Sequence, residues 1–162
     1  EWLSPVTEQL GLSKAFCDDY INTFGALHDK LPTQIIHRDP NPSNILMQDG
    51  KVSGFVDFDL LQRSIRIFDP CYVATALLVE AFERRNEEWI AKWPQIFHSI
   101  ISGYDAVVHL TAEEKQALPY VVLSIQLICV GWFSTREKYK DLADLNITAL
   151  KWLIEHFNTL VF

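Results

Sequence analysis

His37-Arg38-Asp39-Pro40-Asn41-Pro42-Ser43-Asn44-Ile45-Leu46 is followed, after Met47 and Gln48, by Asp49-Gly50 and then by Gly54-Phe55-Val56-Asp57-Phe58-Asp59. The first part is a polar loop stiffened by two prolines, running into an apolar stretch. An Asp-Gly pair between apolar runs predicts a tight hairpin, because both central residues of a type I′ turn need φ > 0. Asn44 and Asp57 flank the two arms of that hairpin, so they can converge although thirteen positions separate them. Asp39 lies five residues before Asn44, on the loop that Pro40 and Pro42 hold rigid.

Outside this island the texture is helical. Ser13 is a cap for a helix to about Lys30, with Phe16, Tyr20, Phe24 and Leu27 on one face, and Leu31-Pro32 ends it. Beyond Asp69, Cys71 to Phe82 reads as one helix. Asn86 starts the next, through Trp89, Trp93, Ile96, Phe97 and Ile100, and Pro94 should kink or divide it. Thr111-Ala112-Glu113-Glu114 is a capping box opening a helix toward Phe133, with Pro119 early in it or splitting it. A last helix spans about Leu142 to Thr159. The expected fold class is α+β and mostly α-helical: one domain over residues 1–162, with a small β-hairpin element carrying the polar loop.

Composition bounds the function. Of 162 residues, 49% are apolar and 22% charged, which is globular and not disordered. The net charge is −7 with no basic run, which argues against nucleic acid or an anionic membrane as partner. The three cysteines, Cys17, Cys71 and Cys129, are far apart, which argues against a disulfide framework or a zinc site and points to a reducing, cytoplasmic setting. The longest apolar stretch, Tyr120 to Phe133, is too short to span a bilayer and reads as a buried helix.

The island carries the chemistry. Asn44 and Asp57 offer hard oxygen ligands, which suit Mg²⁺ better than zinc or copper. A carboxylate beside such a site, Asp39, is placed to accept a hydroxyl proton. Read by residue type alone, each has a plainer use: Asp39 before proline starts turns, Asn44 caps, and Asp59 sits in solvent.

His37-Arg38-Asp39-x-x-x-x-Asn44 is similar to the catalytic loop of the protein-kinase-like fold, and Asp57-Phe58-Asp59 stands where that fold has its metal-binding Asp. The wording through Leu46, the hairpin, and Phe68-Asp69-Pro70-Cys71-Tyr72-Val73-Ala74 resembles the aminoglycoside phosphotransferase family, a group of small-molecule kinases. That family often has His at the place of Asn41 and Gly at that of Ser43; neither departure touches the base or the metal ligands. The resemblance implies an ATP-dependent transfer to the hydroxyl of a small molecule. Asp39 would be the catalytic base, and Asn44 and Asp57 the Mg²⁺ ligands. His37, Arg38 and Asp69 would support the loop, and Asp59 would stand behind the ligands. Asp69 should cap its helix and bond the loop backbone.

No Gly-rich phosphate loop and no strand Lys precede His37. The expectation is the C-terminal lobe of a kinase-like protein, whose nucleotide-binding N-terminal lobe is a partner outside this chain. By itself the chain should be inactive. The acceptor pocket should lie among the helices after Asp69, with Tyr72, Trp89, Trp93 and Trp132 as candidate walls, and the acidic balance favours a cationic acceptor. A kinase-derived binding or scaffold module is the alternative. A two-carboxylate glycoside hydrolase built on Asp39 and Asp57 accounts for neither Asn44 nor the hairpin.

Overall fold

A computed structural model describes residues 12–162. Helix α1, Lys14–His28, begins as its sequence dictates: the Ser13 side chain accepts the Phe16 N–H at 3.1 Å. Its apolar face of Phe16, Tyr20, Phe24 and Leu27 packs on the core. It ends two residues before Lys30.

Four strands follow, in two antiparallel pairs. Strand β1, Thr33–Ile36, pairs with β4, Gln62–Ile65, with Thr33 opposite Ile65 and Ile36 opposite Gln62. Strand β2, Ile45–Gln48, pairs with β3, Lys51–Phe55, with Ile45 opposite Phe55. The turn between β2 and β3 is the one the Asp-Gly pair predicts: φ is 51° at Asp49 and 73° at Gly50. A bulge between Leu46 and Met47 shifts the register. The β1–β4 pair thus brackets both the polar loop and the hairpin, and brings the two ends of the island together.

Helix α2, Phe68–Glu83, starts three residues earlier than the apolar pattern suggests, with Pro70 in its first turn, where a missing N–H costs nothing. Helix α3, Glu87–Val108, is capped by Asn86, whose side chain accepts the Trp89 N–H at 3.1 Å. Helix α4, Ala112–Ser134, opens with the full capping box of Thr111 and Glu114. Helix α5 runs Lys140–Glu155, and a 3-10 turn, Phe157–Leu160, replaces the expected last turn. Neither Pro94 nor Pro119 divides its helix. Each sits at the eighth position and costs about 3 kcal/mol. The buried residues around them, Trp93 and Phe97 in α3, Leu118, Val121 and Val122 in α4, each return about 1.5–3 kcal/mol.

These helices share one core. Trp93 lies at its centre, stacked on Phe97 and edge-on to Trp152 at 5.7 Å, and its indole N–H donates to the Ala74 carbonyl at 2.7 Å. Helix α4 is the most buried. By length and hydropathy its 23 residues could cross a membrane, so the expectation that this stretch is too short is corrected; here half of the apolar window is packed inside the protein, against α1, α2 and α5. Removing the cap, Thr111→Ala, is expected to destabilise the chain by about 1 kcal/mol. Thermal unfolding should show a drop of a few degrees, and an unchanged midpoint would mean that Glu114 alone holds the helix start.

Candidate active site

The first turn of α2 holds the polar loop. Asp69 is its second residue, and its carboxylate accepts two successive backbone N–H groups, that of His37 at 2.8 Å through Oδ2 and that of Arg38 at 2.9 Å through Oδ1. It does not cap the helix: the cap position is Ile67, with no side-chain bond. The helix starts early enough to place Asp69 inside the first turn, where its charge still favours the helix N-terminus and its oxygens are free to reach the loop.

His37 is buried and joins the loop to the hairpin. Its Nε2–H donates to the Val56 carbonyl at 2.9 Å, and its ring packs on Phe58 with centroids 4.8 Å apart. Its Nδ1 is buried and has no hydrogen-bond partner among the described residues. Arg38 is exposed and has φ of 72°, a left-handed conformation that its two flanking N–H bonds to Asp69 hold in place.

The Asp39 carboxylate is aimed by three neighbours. Oδ1 accepts the Tyr72 hydroxyl at 2.8 Å and the Asn41 side-chain amide at 3.1 Å. Oδ2 has one donor, the Asn44 Nδ2 at 3.3 Å, and the same amide donates to the Asp39 carbonyl at 2.9 Å. Asn41 itself caps the short 3-10 turn Pro42–Asn44 that delivers Asn44 to this place.

Asn44 is buried, and with its amide nitrogen turned to Asp39, its oxygen accepts nothing from the described residues. Its carbonyl accepts the Val56 N–H at 3.0 Å, which fixes the start of one hairpin arm to the end of the other. Asp57 is the next residue, exposed and with φ of 63°. The structure therefore brings Asp39 and Asn44 into contact, and Asp57 directly follows the Val56 that is bonded to Asn44. The carboxylates of Asp57 and Asp59 make no hydrogen bond or ion pair among the described residues. Two free hard-oxygen groups, one of them a carboxylate open to solvent, match the donor set that Mg²⁺ takes. Among the described residues no group of three or more His, Cys, Asp and Glu side chains gathers to hold a metal, at this loop or elsewhere.

Asp39 also lines a cavity of about 780 Å³ between the loop, α1, α2 and α4. Its walls are largely aromatic: Phe24, Phe68, Tyr72, Trp132, Phe133 and Tyr139. Cys129 faces it too, its thiol pushed up to about 11 by burial and then by the Asp39 charge. Of the four candidate walls, Tyr72 and Trp132 are here; Trp93 is core, and Trp89 borders a separate groove with Lys92 and Ile96. Sequence reasoning missed Asn41 and Tyr72 as partners of Asp39. The signal for Tyr72 was its spacing: three residues after Asp69, it projects from the same helical face.

A sequence model described as the phosphotransferase enzyme family matches residues 8–109. Similar curated proteins include a homoserine kinase of Phenylobacterium zucineum (strain HLK1), 29% identical over 109 residues, which are 67% of this chain and 32% of that one. A homoserine kinase of Rhizobium meliloti (strain 1021) is 35% identical over 89 residues, 55% of this chain and 25% of that one. One of Neisseria meningitidis serogroup B (strain ATCC BAA-335 / MC58) is 33% identical over 93 residues, 57% and 28% of the two chains. The match spans about a quarter to a third of the length of these relatives. No solved structure matches.

Proposed function

The chain belongs to the phosphotransferase enzyme family, and on that footing we propose that it carries the catalytic loop and acceptor pocket of an ATP-dependent small-molecule kinase. The observation that supports this is the Asp39 carboxylate, held by Tyr72, Asn41 and Asn44 at the wall of a cavity sized for a small molecule. Asp39 orients the acceptor hydroxyl and takes its proton as the oxygen bonds to the γ-phosphorus and the bond to the nucleotide's bridging oxygen breaks. Asn44 and Asp57 would hold Mg²⁺, which would neutralise phosphate charge. His37, Arg38 and Asp69 keep the loop in register, and Asp59 stands beside the metal ligands. The elements that grip the nucleotide belong to a lobe outside these residues, so the chain by itself transfers nothing.

The cavity argues about the acceptor. Its described walls hold one carboxylate, Asp39, against the cationic Arg38 and a large aromatic surface. The acidity of the chain therefore does not reside there, and a polycation would find few countercharges. We read the acceptor as an alcohol with an apolar or aromatic body, larger than the four-carbon amino acid in the relatives' name. The test is phosphotransfer by the intact protein, with ATP and Mg²⁺, to homoserine, an aminoglycoside and a set of aromatic alcohols. Transfer to the aromatic alcohols with the highest kcat/KM is expected, and transfer to none of the three classes would sink the kinase reading. In the same protein Asp57→Asn should weaken Mg²⁺-dependent nucleotide binding by about 10–100-fold. Titration calorimetry with and without Mg²⁺ would measure it, and an unchanged affinity would remove Asp57 from the metal site.

A further inference from the structure

We propose that Tyr72 is a positioning residue for the reaction: its hydroxyl, donated to Oδ1 of Asp39, fixes the carboxylate so that Oδ2 is the oxygen left to receive the acceptor's proton. The proposal rests on the reading of Asp39 as the base. Among the described residues Oδ1 has two donors, at 2.8 and 3.1 Å, while Oδ2 has a single long one at 3.3 Å, so of the two it is Oδ2 that has accepting capacity to spare.

The arrangement is built, not incidental. Asp69 and Tyr72 are one turn apart on α2, and α2 is anchored in the core by Cys71, Ala74 and Leu78. One turn of one helix thus grips three consecutive loop residues, His37 and Arg38 by their backbone N–H groups and Asp39 by its side chain. The Tyr72 ring stacks on Phe68 at 6.0 Å, which limits its own freedom. Burial, and then the Asp39 carboxylate, raise the phenol well above the usual tyrosine range, so it stays protonated and is the donor to the carboxylate. A fixed rotamer keeps the base within reach of the hydroxyl.

Tyr72→Phe removes the donor and keeps the ring. In the intact protein it is expected to lower kcat by about 10–100-fold, with KM for the acceptor within about threefold. Tyr104→Phe deletes a comparable partly buried hydroxyl, bonded instead to the Arg66 carbonyl, and serves as the control for a general loss of stability. An unchanged kcat in Tyr72→Phe would overturn the proposal. So would an equal fall in Tyr104→Phe, or a loss confined to KM. Full activity in Asp39→Asn would instead overturn the reading of the base, whatever Tyr72→Phe does.

Discussion

Asp39→Asn is expected to lower phosphotransfer by the intact protein about 10²–10⁴-fold, the usual contribution of a positioned general base. The substitution is nearly isosteric. The new amide oxygen can take the place of Oδ1 and accept from Tyr72 and Asn41. The new amide nitrogen then faces Asn44 Nδ2, donor against donor, where a 3.3 Å contact stood. Asn44 still has the carbonyl of residue 39 at 2.9 Å, so the loop and the ligand behind it keep their places. The loss should therefore appear in kcat, with thermal stability and nucleotide affinity close to those of the parent. Steady-state kinetics beside a melting curve and a nucleotide titration make the distinction. Undiminished kcat would show that no proton leaves through residue 39, and a loss of nucleotide affinity equal to that of Asp57→Asn would show that the residue acts on the metal instead.

What the sequence disclosed and what it concealed divide along sequence separation. The Asp49-Gly50 turn, the Ser13, Asn86 and Thr111 caps, and the closeness of Asn44 to the end of the hairpin are local, and each followed from a residue type with a backbone preference. Asp69 reaching the loop backbone came from the family resemblance and is seen at 2.8 and 2.9 Å. Strand β4 was missed because Gln62-Arg63-Ser64-Ile65 has no apolar alternation; its pairing is set by β1, some thirty residues earlier. Tyr72 read as a cavity wall, and its bond to Asp39 spans 33 residues. Pro119 falls early in α4, one of the two places expected for it, and Pro94 does not divide α3, where one lost hydrogen bond is outweighed by core burial on both sides. The negative net charge is counted over the whole chain, and of it the described cavity walls carry only Asp39.

The same lesson sets the largest stability effect. Glu114 entered as half of a capping box, and it does accept the Thr111 N–H at 2.9 Å. Its side chain is also 0% exposed, against 19% for Arg66, and the two form a paired contact: Arg66 Nε and Nη2 donate to the two carboxylate oxygens at 2.7 Å each. The same guanidinium donates to the His109 carbonyl at 3.2 Å, while the Arg66 carbonyl accepts from Tyr104. Arg66 sits between β4 and α2, two residues before the helix that grips the catalytic loop. One side chain therefore ties that junction to the end of α3 and the start of α4. Arg66→Met should cost about 3–5 kcal/mol, because it strands a buried carboxylate with only a backbone N–H for company. This is a fifth or more of the roughly 5–15 kcal/mol that keeps a domain folded. Arg66→Met with Glu114→Leu should lose far less, about 1–2 kcal/mol, since only the Thr111 N–H and the His109 carbonyl are then left without partners. Urea unfolding of the two single variants and the double variant gives the coupling directly. A single variant within 1 kcal/mol of the parent, or a double variant as unstable as the sum, would mean that the pair is solvated and that the junction is held by the apolar core alone.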